Sequence, residues 1–353
     1  MSRIEDVDKN LKVETKIEQE GLKFYNALSE PFKIYGVFME DGMFRRMPEK
    51  VAESVSKNVW MLHSHTAGGR VRFRTNSPYV AINVKMGSIG KMAHFAVAGS
   101  AGFDVYRNDG EGEDYVRTLM PTFSMKDGYE SLISFEDEVM RDVTINFPLY
   151  SEVKELYIGL DENAVVEAPT PYIDKKPMVY YGSSITQGGC ASRPGNCYQG
   201  YISRTFNCDY INLGFSGSAK AEDEMIEYIK GLDMSIFVYD YDHNAPDVEH
   251  LKNTHEKMFK AIREAHPDLP IIMMSAPIWK TTNFMKGRKE IIEQTYRNAL
   301  AAGDKNVYFI DGKALMSLCE NNGTVDNCHP TDLGFYSMGR VLSFMIEKYG
   351  LMR

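Results

Sequence analysis

The chain has 353 residues, of which 43% are hydrophobic and 25% charged, with a net charge of −9 at pH 7. That is ordinary for a globular chain of two domains, and the negative balance argues against a nucleic-acid partner held through phosphates or an anionic membrane surface. No apolar run reaches the roughly 18 residues of a spanning helix, and the charged start Met1-Ser-Arg-Ile-Glu-Asp lacks a hydrophobic signal region, so a cytoplasmic protein is expected.

Residues 1–30 are charged and weakly patterned, which fits a short helical or extended arm. From Phe32 to about Leu160 the texture is that of strands. Val71–Thr75, Tyr79–Met86, Asp142–Phe147 and Glu155–Leu160 alternate, and turn clusters such as Asn108-Asp-Gly110 and Lys126-Asp-Gly128 separate such runs. Many short strands with turn signals predict an antiparallel β-sandwich over residues 1–168. Ala168–Pro177 carries three prolines in ten residues, and residues 169–177 read as a linker.

Beyond the linker, apolar strands alternate with amphipathic helices. The expected strands are Met178–Tyr181, Asp209–Leu213, Met234–Tyr239, Pro270–Met274 and Val307–Ile310. The expected helices are Tyr198–Phe206, Asp223–Ile229, Val248–Ala265, Arg288–Ala302 and Leu333–Lys348. This rhythm predicts an α/β domain over residues 178–353, a parallel sheet with helices on both faces. Ligands of such sheets gather outside the carboxyl ends of the strands.

The polar residues just past those ends are therefore the ones to inspect. They are Gly182-Ser-Ser184, Gly214-Phe-Ser-Gly217, Asp240-Tyr-Asp-His-Asn244, Ser275-Ala-Pro277 and the long segment Asn322–Asp332. Serine is a weak nucleophile that needs a base, and His329 can supply one. Asp326, three residues earlier, can accept from the other ring nitrogen and fix the tautomer. The N–H groups of Ser184 and Gly217 and the amide of Asn244 can face a developing oxyanion. Each piece alone has a plain reading: a turn, a helix cap, a chance Asp-x-x-His. Their order along the chain is what makes them a set. His243 and His65 read as surface or structural. The five cysteines, Cys190, Cys197, Cys208, Cys319 and Cys328, are odd in number and fit no zinc spacing, so free thiols are expected. Cys190 and Cys328 flank candidate catalytic residues, where packing is the plainer reading.

These blocks resemble those of the SGNH (GDSL-type) hydrolase superfamily, whose order is Ser, Gly, Asn, then Asp-x-x-His. Gly182-Ser-Ser-Ile-Thr186, Asn212–Gly217, Asp240–Asn244 and Asp326-Asn-Cys-His329 carry the resemblance. Two departures stand out: Ser183 replaces the usual aspartate of the first block, and Asn244 is flanked by His243 and Ala245. Gly102-Phe-Asp-Val-Tyr106, Ala191-Ser-Arg-Pro-Gly195 and Ser64–Gly68 look like a two-domain bacterial subgroup with an N-terminal β domain. The resemblance implies a three-layer α/β/α hydrolase domain. Ser184 would be the nucleophile, His329 the base, Asp326 its orienter, and Ser184, Gly217 and Asn244 the oxyanion donors. No metal or cofactor is implied.

The implied activity is a serine esterase that removes small acyl groups, acetyl above all, from a small-molecule or oligosaccharide ester, with no nucleic-acid or membrane partner. An acyltransferase sharing the acyl-enzyme, and a lipase or thioesterase for longer chains, are the alternatives. A non-catalytic carbohydrate-binding protein is disfavoured because every site residue is present. Ser183 and Arg193 are possible substrate contacts; Ser183 has the alternative of a hydrogen bond within the turn, as the usual aspartate makes, and Arg193 the equal alternative of an ion-paired clamp. Trp60, His63, His65 and Tyr106 are the residues through which the N-terminal domain would wall the cleft, with core packing the plainer reading of each.

Overall fold

The computed structural model describes residues 13–110, 112–173 and 176–352. The arm expected at the N-terminus lies partly outside these residues. Its described part ends in the strand Leu22–Asn26, which pairs antiparallel with Ser151–Asp161. That pair extends through Tyr79–Ile89 to Gly128–Ser134 as one sheet. A second antiparallel sheet runs Val166–Glu167, Arg70–Thr75, Arg141–Asn146, Phe103–Asn108 and Glu113–Leu119, with Lys33–Tyr35 added to Arg70–Thr75. Alternate residues of both sheets, among them Val80, Ile82, Val84, Val71, Phe73, Val143 and Ile145, bury into one core between them. The Pro-rich segment is irregular where it is described, while residues 174 and 175 lie outside the described set. Thr170 anchors it, donating its N–H and hydroxyl to the carboxylate of Asp142, each at 2.7 Å.

The second half is a five-stranded parallel sheet in the order Tyr210–Gly214, Met178–Gly182, Ile236–Asp240, Ile271–Met274, Val307–Ile310. Its strands are buried on both faces, which explains their continuous apolar runs. Val179, Tyr181, Phe237, Tyr239, Ile271 and Met273 face one core. Met178, Tyr180, Ile236, Val238, Ile272 and Met274 face the other. Helices Asp223–Lys230, Val248–Ala265 and Arg288–Ala301 cover the first face; Tyr198–Phe206 and Asp332–Tyr349 cover the second. No helix among the described residues is long and apolar enough to cross a membrane.

The first half departs from its β reading in the short helix Val97–Ser100 and, more consequentially, in a helical pair. Residues Glu49–Val55 and Lys57–Leu62 are helices, and Met47, Ala52, Val55 and Val59 pack into the first core of the parallel sheet. The chain thus sends a helical pair from its β half onto the α/β half. Register places the site. Gly182 stands opposite Gly214 on one side and Asp240 on the other, so three loops leave the sheet at one level. Strand order reverses at Met178–Gly182, the switch point where such sheets open a crevice.

Candidate active site

Ser184 is not on an open turn, as its sequence suggested. It is the first residue of a one-turn helix, Ser184–Gln187, which Gly188 ends in the left-handed region. Ser183 caps this helix: its Oγ accepts from the N–H of Ile185 at 3.2 Å. Aspartate and serine are both good caps, so the departure from Gly-Asp-Ser keeps the local structure. Ser183 is fully buried, and its bond within the turn is the first of its two sequence readings.

Ser184 Oγ lies 2.9 Å from Nε2 of His329, and Nδ1 of His329 lies 2.7 Å from Oδ2 of Asp326. Asp326 Oδ1 also accepts the N–H groups of His329 and Cys328, at 2.7 and 3.0 Å. Burial pushes the Asp326 carboxyl up, but these N–H groups and the imidazole outweigh it and hold it below its usual value. A carboxylate that stays ionised can orient an imidazole whose other nitrogen takes a proton from serine.

The loop after Tyr210–Gly214 is tied to the nucleophile helix. Phe215 N–H donates to Gly182 O at 2.8 Å, and Ser216 N–H donates to Gln187 Oε1 at 3.0 Å. Gly217 then has φ +68°, and a Cβ there would meet nothing within 4 Å, so its backbone conformation, not crowding, calls for glycine. Asn244 Oδ1 accepts from Ala219 N–H at 3.3 Å, which leaves the amide nitrogen as donor. Arg288 steadies that loop by donating to the carbonyls of Asp242 and Ala245, at 2.6 and 2.9 Å. Beneath it, burial pushes the Asp242 carboxyl up to about 6. The Ser184 N–H, in the first turn of its helix, has no acceptor within that helix.

Arg193 takes the clamp of its two readings. Its Nη1 donates to Asp104 Oδ2 at 3.0 Å and to the Tyr106 hydroxyl, and its guanidinium stacks on Tyr115 at 3.7 Å. These are the contacts expected of an ion-paired clamp. Asp104 and Tyr106 belong to the Gly102–Tyr106 motif, so that motif grips the loop after the nucleophile. The approach is close: a Cβ on Gly195 would sit 2.5 Å from the Tyr106 ring. The same loop is tied to the last helix, since Ser192 N–H donates to Asp332 at 2.8 Å.

The β half braces the site at two further points. Arg46 is buried and donates to the carbonyls of Asn212, Gly214 and Leu62, at 3.0, 2.7 and 2.6 Å. Gln187 Nε2 reaches His65 Nδ1 and Leu149 O, both at 3.2 Å, and Tyr150 donates to Ser184 O, also at 3.2 Å. Burial holds the His65 imidazole down at about 4, so it stays neutral. His63 binds Trp60 O within its own segment, and Trp60 is partly exposed away from these contacts. His243 is held down at about 4, first by burial and then by His329, and its Nδ1 is 3.9 Å from Cys328 Sγ.

None of the five cysteines is in a disulfide among the described residues. Burial, with Asp326 adding to it, pushes Cys190 up to about 12 and Cys328 to about 11, so neither is a thiolate nucleophile at neutral pH. One residue beside the dyad was not legible in the sequence. His94, on an exposed loop of the β half, has its ring centroid 5.8 Å from that of His329. His94, Cys190 and His329 are also the group among the described residues whose donor atoms could hold a metal ion.

Comparison with known proteins shows the family and the fold. Residues 175–347 match the family model described as GDSL-like Lipase/Acylhydrolase family, and residues 22–166 match GxDLY, the N-terminus of Esterase_SGNH_hydro-type. No curated protein matches. A solved chain from Bacteroides ovatus, described as GDSL-like lipase, superposes with TM-score 0.84 at 26% identity over 94% of this chain and 99% of that one. The salicylyl-acyltransferase SsfX3 of a tetracycline biosynthetic pathway gives 0.75 at 19% identity over 95% and 99%. A family two carbohydrate esterase from Cellvibrio japonicus shares the fold, with 0.60 at 11% identity over 93% and 97%.

Proposed function

The chain belongs to the GDSL-like lipase/acylhydrolase family of carboxylic ester hydrolases, and from that premise we propose that Ser184, His329 and Asp326 form its catalytic triad. The observation that carries the reading is the continuous hydrogen-bonded line Ser184 Oγ–His329–Asp326, with steps of 2.9 and 2.7 Å. Ser184 attacks the ester carbonyl as His329 takes its proton. The oxyanion accepts from the N–H groups of Ser184 and Gly217 and from the Asn244 amide. His329 then protonates the leaving alcohol. Water, deprotonated by the same imidazole, attacks the acyl-enzyme, and collapse of the second tetrahedral intermediate frees the acid and Ser184.

The substrates we propose are small acyl esters, acetyl esters of carbohydrates first. The fold shared with carbohydrate esterases makes these the first compounds to try. A panel of aryl esters from acetyl to octanoyl, run beside acetylated sugars with Ser184→Ala as control, tests this. A steep preference for acetyl is expected. A preference for long chains would move the assignment to a lipase or thioesterase, and ester formation on added acceptor alcohols in preference to hydrolysis would move it to a transferase.

A further inference from the structure

We propose that His94, Cys190 and His329 form an inhibitory binding site for a soft divalent cation of the zinc class. One donor atom from each lies within 4.8 Å of the other two. The three arrive from separate segments: an exposed loop of the β half, the loop after the nucleophile helix, and the loop before the last helix. Two imidazoles and a sulfur are a donor set that zinc takes readily. Asp326 occupies Nδ1 of His329 at 2.7 Å, so Nε2 is the donor left. A carboxylate behind a ligating imidazole is also the usual outer partner of a zinc histidine, fixing its tautomer and raising its basicity. What suits Asp326 to the dyad suits it equally to a metal ligand.

A tetrahedral zinc ion, with nitrogens at about 2.0–2.1 Å and sulfur at about 2.3 Å, holds its donors about 3.4–3.6 Å apart. His94 is exposed, and its side chain can swing to close the remaining gap. The Cys190 thiol gives up its proton on coordination. Three protein ligands leave a fourth position open, and Ser184 Oγ, 2.9 Å from the same His329 Nε2, is next to it. An ion on that nitrogen removes the lone pair that would accept the serine proton. The inhibition rests on the reading of His329 as base; the binding does not.

Zinc chloride titrated into chelator-treated protein tests the site, read by aryl acetate hydrolysis and, on Ser184→Ala, by calorimetry. The expected result is one ion per chain and an activity loss that a chelator reverses. The half-inhibitory concentration should rise at least about 10-fold in His94→Ala and in Cys190→Ala, since even outer partners of a metal ligand are worth about 10–100-fold in affinity. Cobalt should give a thiolate-to-metal charge-transfer band that Cys190→Ser lacks. Equal zinc sensitivity of the parent and both variants would overturn the site, as would absence of binding by Ser184→Ala. If aryl acetate is not turned over at all, the esterase reading fails, while calorimetry and the cobalt band still decide the site.

Discussion

Replacing Asp104 by alanine should damage both stability and turnover, although Asp104 touches neither Ser184 nor His329. Its carboxylate is fully buried and accepts from Arg193 Nη1 at 3.0 Å, from Gly195 N–H at 2.9 Å and from Asn146 Nδ2 at 2.9 Å. Removing one partner of a buried ion pair costs about 3–5 kcal/mol. Arg193 keeps its stack on Tyr115, so the lower end applies. The stranded amide of Asn146 and N–H of Gly195 add about 1 kcal/mol each at the low end of the desolvation range. About 5 kcal/mol is therefore expected, a large part of a domain's stability. Asp104→Asn keeps the volume and one acceptor and should lose about half of that. Urea unfolding by circular dichroism measures both variants, and aryl acetate turnover under folding conditions reports the freed loop 192–196. Arg193→Ala in the Asp104→Ala background should cost at least about 1 kcal/mol less than it does alone. Unfolding of both Asp104 variants within about 1 kcal/mol of the parent, or strict additivity in the cycle, would refute the clamp.

Three further outcomes are expected. Asn244→Ala should lower kcat by about 10²–10³ with little change in unfolding midpoint, because the proposed oxyanion hole loses one donor; steady-state kinetics on an aryl acetate check it. Treatment with a chelator should leave activity intact or raise it, as assayed before and after dialysis. His255 is buried against Tyr239, with ring centroids 4.7 Å apart, and burial holds its imidazole down at about 3. It is neutral in the fold, whereas in the unfolded chain it takes a proton below its ordinary value of 6.5. Its contribution is thus present above pH 6.5 and lost as pH falls from there toward 3. Between pH 7 and 5 it should cost the parent about 2 kcal/mol that His255→Gln does not lose, read as the difference in urea midpoints at the two pH values.

The parallel sheet was legible because its strands are apolar on both faces and its helices are long. Val248–Ala265 and Val307–Ile310 form as expected to the residue. Ser184–Gln187 was not legible as a helix, since one turn is too short for a period to register. The helical pair Glu49–Leu62 carries Ala52, Val55 and Val59 at helical spacing, but its apolar face packs against the other half of the chain, inside a stretch whose texture is β. The order Ser, Gly, Asn, Asp-x-x-His could be read, but the register that brings it together could not: Gly182 opposite Gly214 and Asp240 is a property of the sheet. Arg193 had two open readings until Asp104, 89 positions away, was found beside it. His94 has no signal of its own in the sequence, since only tertiary folding puts it next to His329.

Mass spectrometry of the protein quenched in acid during turnover of an activated aryl acetate tests Ser184 most directly. One acetyl group should appear on the peptide that contains Ser184, and none on that peptide in Ser184→Ala, with hydrolysis lost in step. An acetyl group on Cys190 or elsewhere instead, or Ser184→Ala turning over at the parent's rate, would contradict the assignment of Ser184 as the nucleophile.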